Sequence, residues 1–415
     1  MKLLQYIFSI KNDYKKNSLD ITTKKKIIYI LGFKITLNKK IPPETLELYS
    51  QIINLKYLVE NIALVQKKHY IHTKELLWQN IASKCSAYEK IDFPIKKCLL
   101  LKYDNFWGIG RTSGPNLGDN IQTIAVKNIV DKLYPNIEYE YVDRDNLLNY
   151  SGEKAICILQ GWFSHMQSTT FLTNKNIFPI YVGYHLEPYK EEDILYLLKY
   201  VPNYFKNKTI GCRDIFTKNL FKNLNIPSYL SRCLTLTLPM VKRNTKADTI
   251  YFVDIYDNYL KSIPKEFFKK YERITQRGCD KGFMDSYYIG TSEQYYFEKS
   301  LQIFEKYSKN AKLVITTCLH CAAPCIAMGI PVILFCFNDD KTRYSALNGI
   351  IPIYTLDDLK NGHVNWNPKL VNIENLKEFM IKNLGLTIKE QLGENINKNE
   401  LQLLRSKIEN YNILN

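Results

Sequence analysis

Short apolar runs alternate with amphipathic stretches along most of the chain beyond residue 96. The runs CLLLKY from Cys98 and AICILQ from Ala155 are brief and bounded by polar residues, as buried strands of a parallel sheet are. Between them, apolar residues at helical spacing follow Asp119 and predict an amphipathic helix. Further elements are predicted as a helix over 191–201, a strand near 209–212 and a helix over 214–224. This alternation indicates a doubly wound α/β fold.

The same pattern resumes after a polar, basic stretch at residues 242–248. TIYFVDI opens a second set of apolar runs, in which AKLVITT, LHCAAPCIAMG and IPVILFCF predict a strand, a helix and a strand. Gly329 favours the end of that helix, and Pro331 prevents its continuation. The chain has 415 residues, which is too long for one ordinary core. We therefore predict α/β domains at 96–245 and 246–385 and a helical tail at 386–415.

Residues 1–95 have a different pattern, which predicts a basic arm and a helical extension. Residues 41–94 carry apolar side chains at helical spacing, and residues 27–36 form one short β-like run. Residues 1–40 contain ten Lys against two Asp, a net charge of +8 within a total of +16. A basic arm of this kind indicates contact with an anionic surface, although a plain solvated tail is an equally good interpretation. The arm has no Arg and no nucleic-acid module follows it, so we expect no nucleic-acid partner.

The sequence predicts a cytoplasmic protein, with contact to the inner membrane face as an option for the basic arm. No N-terminal apolar stretch approaches the roughly 20 residues of a membrane span, and no cleavage site follows residues 1–10. The ten Cys are scattered, often inside apolar runs, which is typical of thiols in a reducing compartment. Cys318, Cys321 and Cys325 can share one helix face with His320. They lack the second ligand pair of a compact zinc site, so we predict no metal.

A glycine-rich segment at 108–122, GIGRTSGPNLGDNIQ, links a predicted strand to a predicted helix. Glycines let backbone N–H groups approach a ligand closely, and a helix N-terminus favours an anion. The segment is neither a dinucleotide fingerprint nor a P-loop. From spacing alone, an anion site and a simple turn capped by Asn116 or Asp119 are equally supported.

Three further segments follow predicted strands and carry candidate chemistry. Arg213 in GCRD could bind a phosphate or carboxylate at a strand's carboxyl end; alternatively, it forms a salt bridge, and Asp214 caps the next helix. His320, in the first turn of a helix after a buried strand, is suited to proton transfer near neutral pH, and a purely structural histidine is an equally supported interpretation. Lys341 and Arg343 in KTRYSA either line the same edge or lie in a solvated loop.

Taken in order, these segments resemble the polysaccharide pyruvyl transferase family. The matching positions are Asn116, Gly118, Asp119, Gln122 and Ala125, then Gly211, Arg213 and Asp214, then SRCLTLTLP at 231–239, TTCLHCAAP at 316–324 and RYS at 343–345. The resemblance covers about residues 98–360. Each motif alone has low specificity, but five motifs in register are specific.

The resemblance implies a GT-B-like fold, with two Rossmann-like domains facing a cleft and an N-terminal basic and helical extension. It implies transfer of a pyruvyl group from phosphoenolpyruvate to a sugar diol of a cell-surface glycan, or of its lipid-linked precursor, as a ketal. No metal and no dissociable cofactor are expected. His320 and Arg213 are the implied catalytic residues, for proton transfer and for holding the donor. The implied substrate-binding residues are Asn116, Gly118, Asp119, Gln122, Thr316, Cys318, Lys341 and Arg343.

One position departs from the family pattern, because Cys318 stands where the family has Arg in its RLH motif. A thiol cannot form a bidentate pair with an anion. Either Arg111, Arg213, Lys341 or Arg343 compensates, or the donor differs, or the chain is an inactive scaffold of a polysaccharide assembly complex. A different donor would make it a GT-B glycosyltransferase using a nucleotide sugar, with Glu187 as the carboxylate for the ribose.

Overall fold

The computed structural model of the chain describes residues 8–16, 22–30, 33–37, 43–85, 93–103, 116–164, 171–242, 246–276, 293–337 and 341–414. Its contacts divide the chain into two compact units, Met1–Leu77 and Trp78–Asn415. Within the described ranges, no helix has the length and apolar character needed to cross a bilayer. The finer domain boundaries predicted from the sequence stay a prediction.

The smaller unit contains an antiparallel meander followed by most of a long helix. The strands are β1 (Phe8–Lys16), β2 (Thr22–Ile30) and β3 (Phe33–Leu37), in the order β1-β2-β3, and the helix is α1 (Pro43–Lys84). The single β-like run predicted at 27–36 is wrong. It comprises the end of one strand and the start of the next, and Ile28 pairs with Ile35 across the hairpin.

The larger unit begins with two four-stranded parallel sheets that continue into each other. One has the order β5-β4-β6-β8, and the other has the order β11-β10-β9-β7. Leu159 N donates to Ile180 O at 2.8 Å and Gly161 N to Gly183 O at 3.3 Å, so hydrogen bonds connect the β6–β8 pair to the β7–β9 pair, with a register shift of one residue between them. The strands are β4 (Lys97–Lys102), β5 (Glu138–Asp143), β6 (Ala155–Ile158), β7 (Gly161–Trp162), β8 (Ile177–Ile180), β9 (Tyr184–His185), β10 (Ile210–Cys212) and β11 (Ser228–Leu230).

Three α-helices cover this first set of strands. They are α2 (Leu117–Leu133), α3 (Glu191–Tyr200) and α4 (Ile215–Asn223). Short 3-10 helices lie at Arg144–Asn149, Pro188–Lys190 and Leu234–Thr237. The helices and strand predicted over 191–224 are therefore confirmed as α3, β10 and α4.

The last sheet has five parallel strands in the order β13-β12-β14-β15-β16. They are β12 (Thr249–Val253), β13 (Tyr271–Ile274), β14 (Ala311–Thr316), β15 (Val332–Cys336) and β16 (Ile353–Thr355). The remaining helices are α5 (Asp257–Leu260), α6 (Glu293–Asn310), α7 (Leu319–Ala327), α8 (Leu356–Lys360), α9 (Glu374–Gln391) and α10 (Lys398–Glu409), with 3-10 turns at Lys265–Phe268 and Lys341–Leu347. The predicted α/β class with parallel sheets is confirmed.

Both sets of strands reverse their order beside their first strand, between β4 and β6 and between β12 and β14. Ligands of doubly wound sheets bind beyond the carboxyl ends of the strands at such a reversal. Apolar side chains of α2, among them Ile121 and Ala125, share one buried core with Val314 of β14 and Ala322 of α7. Each fully buried Ile or Val in this core contributes about 1.5–3 kcal/mol by leaving water, and each Ala less. This packing fixes the starts of α2 and α7 close together.

A buried arginine ties the centre of the chain to its C-terminal segment. Arg232 follows β11 with a φ of 62°, and it is 1% exposed. Its guanidinium donates to five backbone carbonyls, those of Ala346, Asn348, Ile408, Glu409 and Tyr411, at 2.6–3.2 Å. A guanidinium has five N–H groups, so every donor of Arg232 is satisfied. Burial lowers its pKa to about 10, which leaves it charged at neutral pH.

Candidate active site

Arg213 lies at the carboxyl end of β10 and is 1% exposed. Its backbone N–H donates to Tyr184 O at 2.8 Å, which holds it beside β9. The side-chain Nε lies 3.8 Å from Asp214 Oδ2 and finds no hydrogen-bond partner among the described residues. Burial lowers the pKa of Arg213, and the neighbouring charge of Arg343 lowers it further. A buried guanidinium with unused donors is a ready binding group for an anion.

Asp214 begins α4, as predicted, and its two oxygens have separate partners. Oδ1 accepts from Thr217 N and Thr217 Oγ1, both at 2.9 Å, which caps the helix. Oδ2 lies 2.5 Å from His185 Nδ1. Despite its burial, the carboxyl has a lowered pKa, because the His185 hydrogen bond and charge and the Arg213 charge stabilise its ionised form. Asp214 is therefore both a cap and an ion-pair partner.

The imidazole of His185 joins two carboxylates. Its Nε2 lies 3.2 Å from Glu187 Oε1, on the opposite side of the ring from Asp214. The pKa of Glu187 is lowered, chiefly by this hydrogen bond and further by the charges of His185 and Arg343. Both ring nitrogens of His185 therefore lie within hydrogen-bond distance of a carboxylate oxygen, so the ring links Asp214 to Glu187.

His320 is the second residue of α7, and it lies near the charged side chains of Arg213 and His185. Its Nε2 is shielded from solvent and has no hydrogen-bond partner in the described part of the chain. Burial, together with the charges of Arg213, Arg343 and His185, lowers the pKa of His320 well below 6.5. The ring is therefore neutral at physiological pH, with a free nitrogen that can accept or hold a proton.

The start of α2 contacts His320 directly. Asn116 caps the helix by accepting from Gly118 N at 3.0 Å, which confirms the predicted capped turn. A Cβ on Gly118 would lie 2.8 Å from His320 Cβ, so this position requires glycine. Residues 104–115, which include Arg111, lie outside the described residues.

Asp119 and Gln122 follow on the same helix. Gln122 Nε2 donates to Asp119 Oδ1 at 3.2 Å, and its buried Oε1 has no partner among the residues described. Burial raises the pKa of Asp119, although the charges of Arg144, Arg213 and Arg343 oppose the shift. The site therefore pairs a carboxyl with a raised pKa and an imidazole with a lowered one, a combination that suits acid–base chemistry.

The KTRYSA segment forms a 3-10 turn that hydrogen-bonds to the start of α4 and to the residue after β14. Ser345 Oγ accepts from Ile215 N at 2.8 Å, at the start of α4, and Tyr344 Oη donates to Thr317 O at 2.8 Å, after β14. Arg343, the residue before Tyr344, is exposed, and its charge lowers the pKa values of Glu187 and His320. Lys341 instead donates to Ile353 O of β16 at 3.0 Å, so the structure does not bring it to Arg213 and His320.

A known protein family matches much of the chain. The polysaccharide pyruvyl transferase family model matches residues 116–335, which is more than half of the chain. The chain belongs to the polysaccharide pyruvyl transferase family. No curated protein matches it. A functionally uncharacterized protein from Klebsiella pneumoniae subsp. pneumoniae NTUH-K2044 is a similar solved structure, at 14% identity and a TM-score of 0.35. The match covers 66% of this chain and 92% of that one, and a likeness this weak supports no statement about function.

In this pyruvyl transferase family member, the departure at Cys318 has a structural context. Thr316 Oγ1 accepts from Cys318 N at 2.9 Å, and Cys318 Sγ donates to Asp254 Oδ2 at 3.3 Å. Asp254 ends the first strand of the last sheet with a φ of 53°, and its Oδ1 accepts from Thr275 Oγ1. The side chain at 318 is therefore turned to a carboxylate at the β12–β14 reversal. The substrate-binding roles given to Thr316 and Cys318 stay predictions.

Several residues of this site were not identified from the sequence. The sequence assigned no role to His185, Arg144, Trp162 or Asp254. Arg144 is bidentate to Asp145 at 2.9 and 3.1 Å and lies 5.1 Å above the Tyr103 ring. The only available signal was position, since each lies at or just after the carboxyl end of a strand. Within the described ranges, no group of three metal-ligating side chains converges.

Proposed function

We propose that the protein transfers a pyruvyl group from phosphoenolpyruvate to two hydroxyls of a saccharide, forming a cyclic ketal and releasing phosphate. The observation that carries this is the pair of unpartnered buried groups in one charged cluster, the Nε of Arg213 and the Nε2 of His320. The donor carries a phosphate and a carboxylate. Arg213 and Arg343 supply fixed positive charge, and the N-termini of α2 and α7 add favourable dipoles.

The chemistry requires one group to accept a hydroxyl proton and another to protonate the donor's methylene carbon. The first hydroxyl oxygen bonds to C2 of the donor as C3 takes up a proton. We assign the hydroxyl proton to His320, because its ring is neutral. We assign the proton for C3 to Asp119, because its raised pKa favours the protonated form. Both groups return to their starting state by exchange with solvent.

The family supports a saccharide acceptor, and we propose a cell-surface glycan or its lipid-linked precursor. In this proposal the two Rossmann-like halves of the larger unit face a cleft that holds donor and acceptor. The basic residues 1–40 then give the protein a route to anionic lipid at the inner membrane face. Deleting residues 1–40 should move the protein from the membrane fraction to the soluble fraction. An unchanged partition would count against membrane contact alone.

Calorimetric titration with phosphoenolpyruvate, beside a panel of nucleotide sugars, tests the donor. We expect saturable phosphoenolpyruvate binding, and we expect Arg213→Ala to weaken it about 100-fold, as losing a charged hydrogen-bonding partner of an anion does. Arg273→Ala removes an exposed arginine paired with Asp257 and serves as the matched control. Binding of a nucleotide sugar without phosphoenolpyruvate binding would replace this proposal with glycosyl transfer.

A further inference from the structure

Glu187 has one carboxylate oxygen that makes no hydrogen bond or ion pair with the residues the structure describes. Its Oε1 accepts from His185 Nε2 and from Trp162 Nε1, each at 3.2 Å. Its backbone N–H donates to Ser164 Oγ at 2.5 Å. The side chain is 28% exposed, and Oε2 has no hydrogen-bond or ion-pair partner within the described part of the chain. Oε1 of Glu187 is thus held by two hydrogen bonds, whereas Oε2 has no partner among the described residues.

The charge of Glu187 decides which substrate it can serve. The donor is a multiple anion, and a carboxylate beside it would repel it. A sugar acceptor is neutral, and its hydroxyls donate readily to a carboxylate. The 3-10 turn at 341–347 hydrogen-bonds to Ile215, next to Asp214, and to Thr317, three residues before His320. The Asp214–His185–Glu187 chain and the proposed proton acceptor therefore lie around the same turn. The site therefore contains a cationic part for the donor and an anionic group for the acceptor.

A cyclic ketal also requires more than one proton acceptor, because two hydroxyls lose their protons during the reaction. His320 can serve one of them. The second hydroxyl forms its bond to C2 as the C2–O bond to phosphate breaks and the electron pair leaves with the phosphate. Its proton needs a nearby base, and the phosphate that departs needs a proton.

We propose that Glu187 binds the acceptor and takes the proton of one of its two hydroxyls, then releases it to solvent, from which the departing phosphate takes its own proton. His185 and Asp214 are positioning residues that hold Glu187 in place through the chain Asp214–His185–Glu187. This inference rests on the proposed function, since it assumes a ketal-forming reaction.

The test compares Glu187→Gln with Glu191→Gln, which alters an exposed carboxylate at the start of α3. Calorimetry measures phosphoenolpyruvate binding to the purified full chain. Mild acid release of pyruvate measures the ketal content of surface glycan in cells that depend on each variant, so the native acceptor is used. We expect Glu187→Gln to bind phosphoenolpyruvate as well as wild type or better, and to lose ketal by roughly 100-fold or more.

Wild-type ketal levels in Glu187→Gln would overturn the inference, as would a loss of phosphoenolpyruvate binding as large as that of Arg213→Ala. Either result leaves pyruvyl transfer intact if the wild type makes ketal. A wild type that neither binds phosphoenolpyruvate nor makes ketal overturns the proposed function, and the role of Glu187 with it.

Two substitutions at His185 test the positioning role. The amide of Gln can replace Nε2–H and hold Glu187, whereas the shorter Asn can replace only Nδ1–H and hold Asp214. We expect His185→Gln to retain at least ~10-fold more ketal formation than His185→Asn, with phosphoenolpyruvate affinity little changed in both. Equal activities at equal stabilities would overturn the positioning role of His185.

Discussion

Arg213 and Arg232 are both 1% exposed, yet their surroundings are opposite. Arg232 donates to five carbonyls and has no donor left over. Arg213 has an unpartnered Nε and one carboxylate at 3.8 Å, which is already shared with His185. Burying a charge costs free energy unless hydrogen bonds offset the lost hydration. Hydrogen bonds offset this cost for Arg232 but not, within the described residues, for Arg213. Arg232 therefore stabilises the fold, whereas Arg213 keeps a donor that is available to a ligand.

The largest expected effect is at Arg232. Arg232→Ala leaves five buried or partly buried carbonyls without donors and keeps an unfavourable positive φ. We expect a loss of about 3–5 kcal/mol in the free energy of unfolding, measured by urea denaturation. Arg232→Lys keeps the charge but only three donors, and it should fall between wild type and Ala. A stable Arg232→Ala protein would remove the distinction between the two arginines.

Arg213→Met should show the reverse behaviour. Replacing an incompletely paired buried charge with an apolar side chain is close to neutral or stabilising, so the free energy of unfolding should stay within about 1 kcal/mol of wild type or rise. Phosphoenolpyruvate affinity should fall about 100-fold, close to 2.7 kcal/mol. Thermal unfolding and calorimetry on the same preparation check both. A loss of stability as large as that of Arg232→Ala would contradict the comparison.

His320 should make the region around Arg213 sensitive to acid. Its folded pKa lies well below 6.5, so the stability that it contributes is present above pH 6.5 and is lost as the pH falls through the folded pKa. We expect wild type to lose up to about 1.4 kcal/mol per pH unit below 6.5 relative to His320→Asn. Urea denaturation of both proteins at pH 7.5, 6 and 5 measures the difference. If both proteins lose the same free energy of unfolding as the pH falls, the pKa of His320 is not lowered in the folded state.

Gly118→Ala tests the contact between α2 and His320. The added Cβ would lie 2.8 Å from His320 Cβ, so the helix start or the imidazole must shift. We expect a cost of about 1–3 kcal/mol in stability or an equivalent loss in rate, as overpacking typically gives. Gly362→Ala is the control for added bulk, because nothing lies within 4 Å of its Cβ position, although its φ of 73° adds strain. An unaffected Gly118→Ala enzyme would show that this contact is loose.

The smallest effect is expected at position 318. Because Cys318 faces Asp254, an arginine introduced there should pair with that carboxylate and leave the donor site largely unchanged. We expect Cys318→Arg to alter phosphoenolpyruvate affinity less than about threefold, which is under 1 kcal/mol. A tenfold gain in affinity would show that the new guanidinium reaches the donor, and that the family's arginine does so too.

The sequence predicted the larger unit well because its elements depend on local pattern. AKLVITT is β14 and AICILQ contains β6, since a short apolar run can only be buried between neighbours. The meander was missed because the alternation in β1, FSIKNDYKK, is interrupted at Asn12 and the strand is rich in charged residues. A helix start and its cap, as at Asn116 and Asp214, are also set within a few residues, and both were predicted.

The contacts that make the site depend on pairing between distant strands. His185 reaches Asp214 only because β9 lies beside β10, with Tyr184 opposite Cys212. Similarly, the sequence shows an arginine at 232 and one at 213 without showing which of them finds carbonyl partners. Recognising the family motifs located Arg213 and His320, whereas the Asp214–His185–Glu187 chain required the structure.

The partners of Arg232 impose an order on the protein's synthesis. Tyr411 follows it by 179 residues, so a ribosome exposes the guanidinium long before the carbonyl that it needs has been made. Until then the nascent chain carries a charge that its surroundings cannot accommodate, and this part of the protein must wait in an open state. Without the carbonyls of Ile408, Glu409 and Tyr411, three of the five N–H donors of Arg232 would have no partner, and the buried charge would destabilise the folded chain.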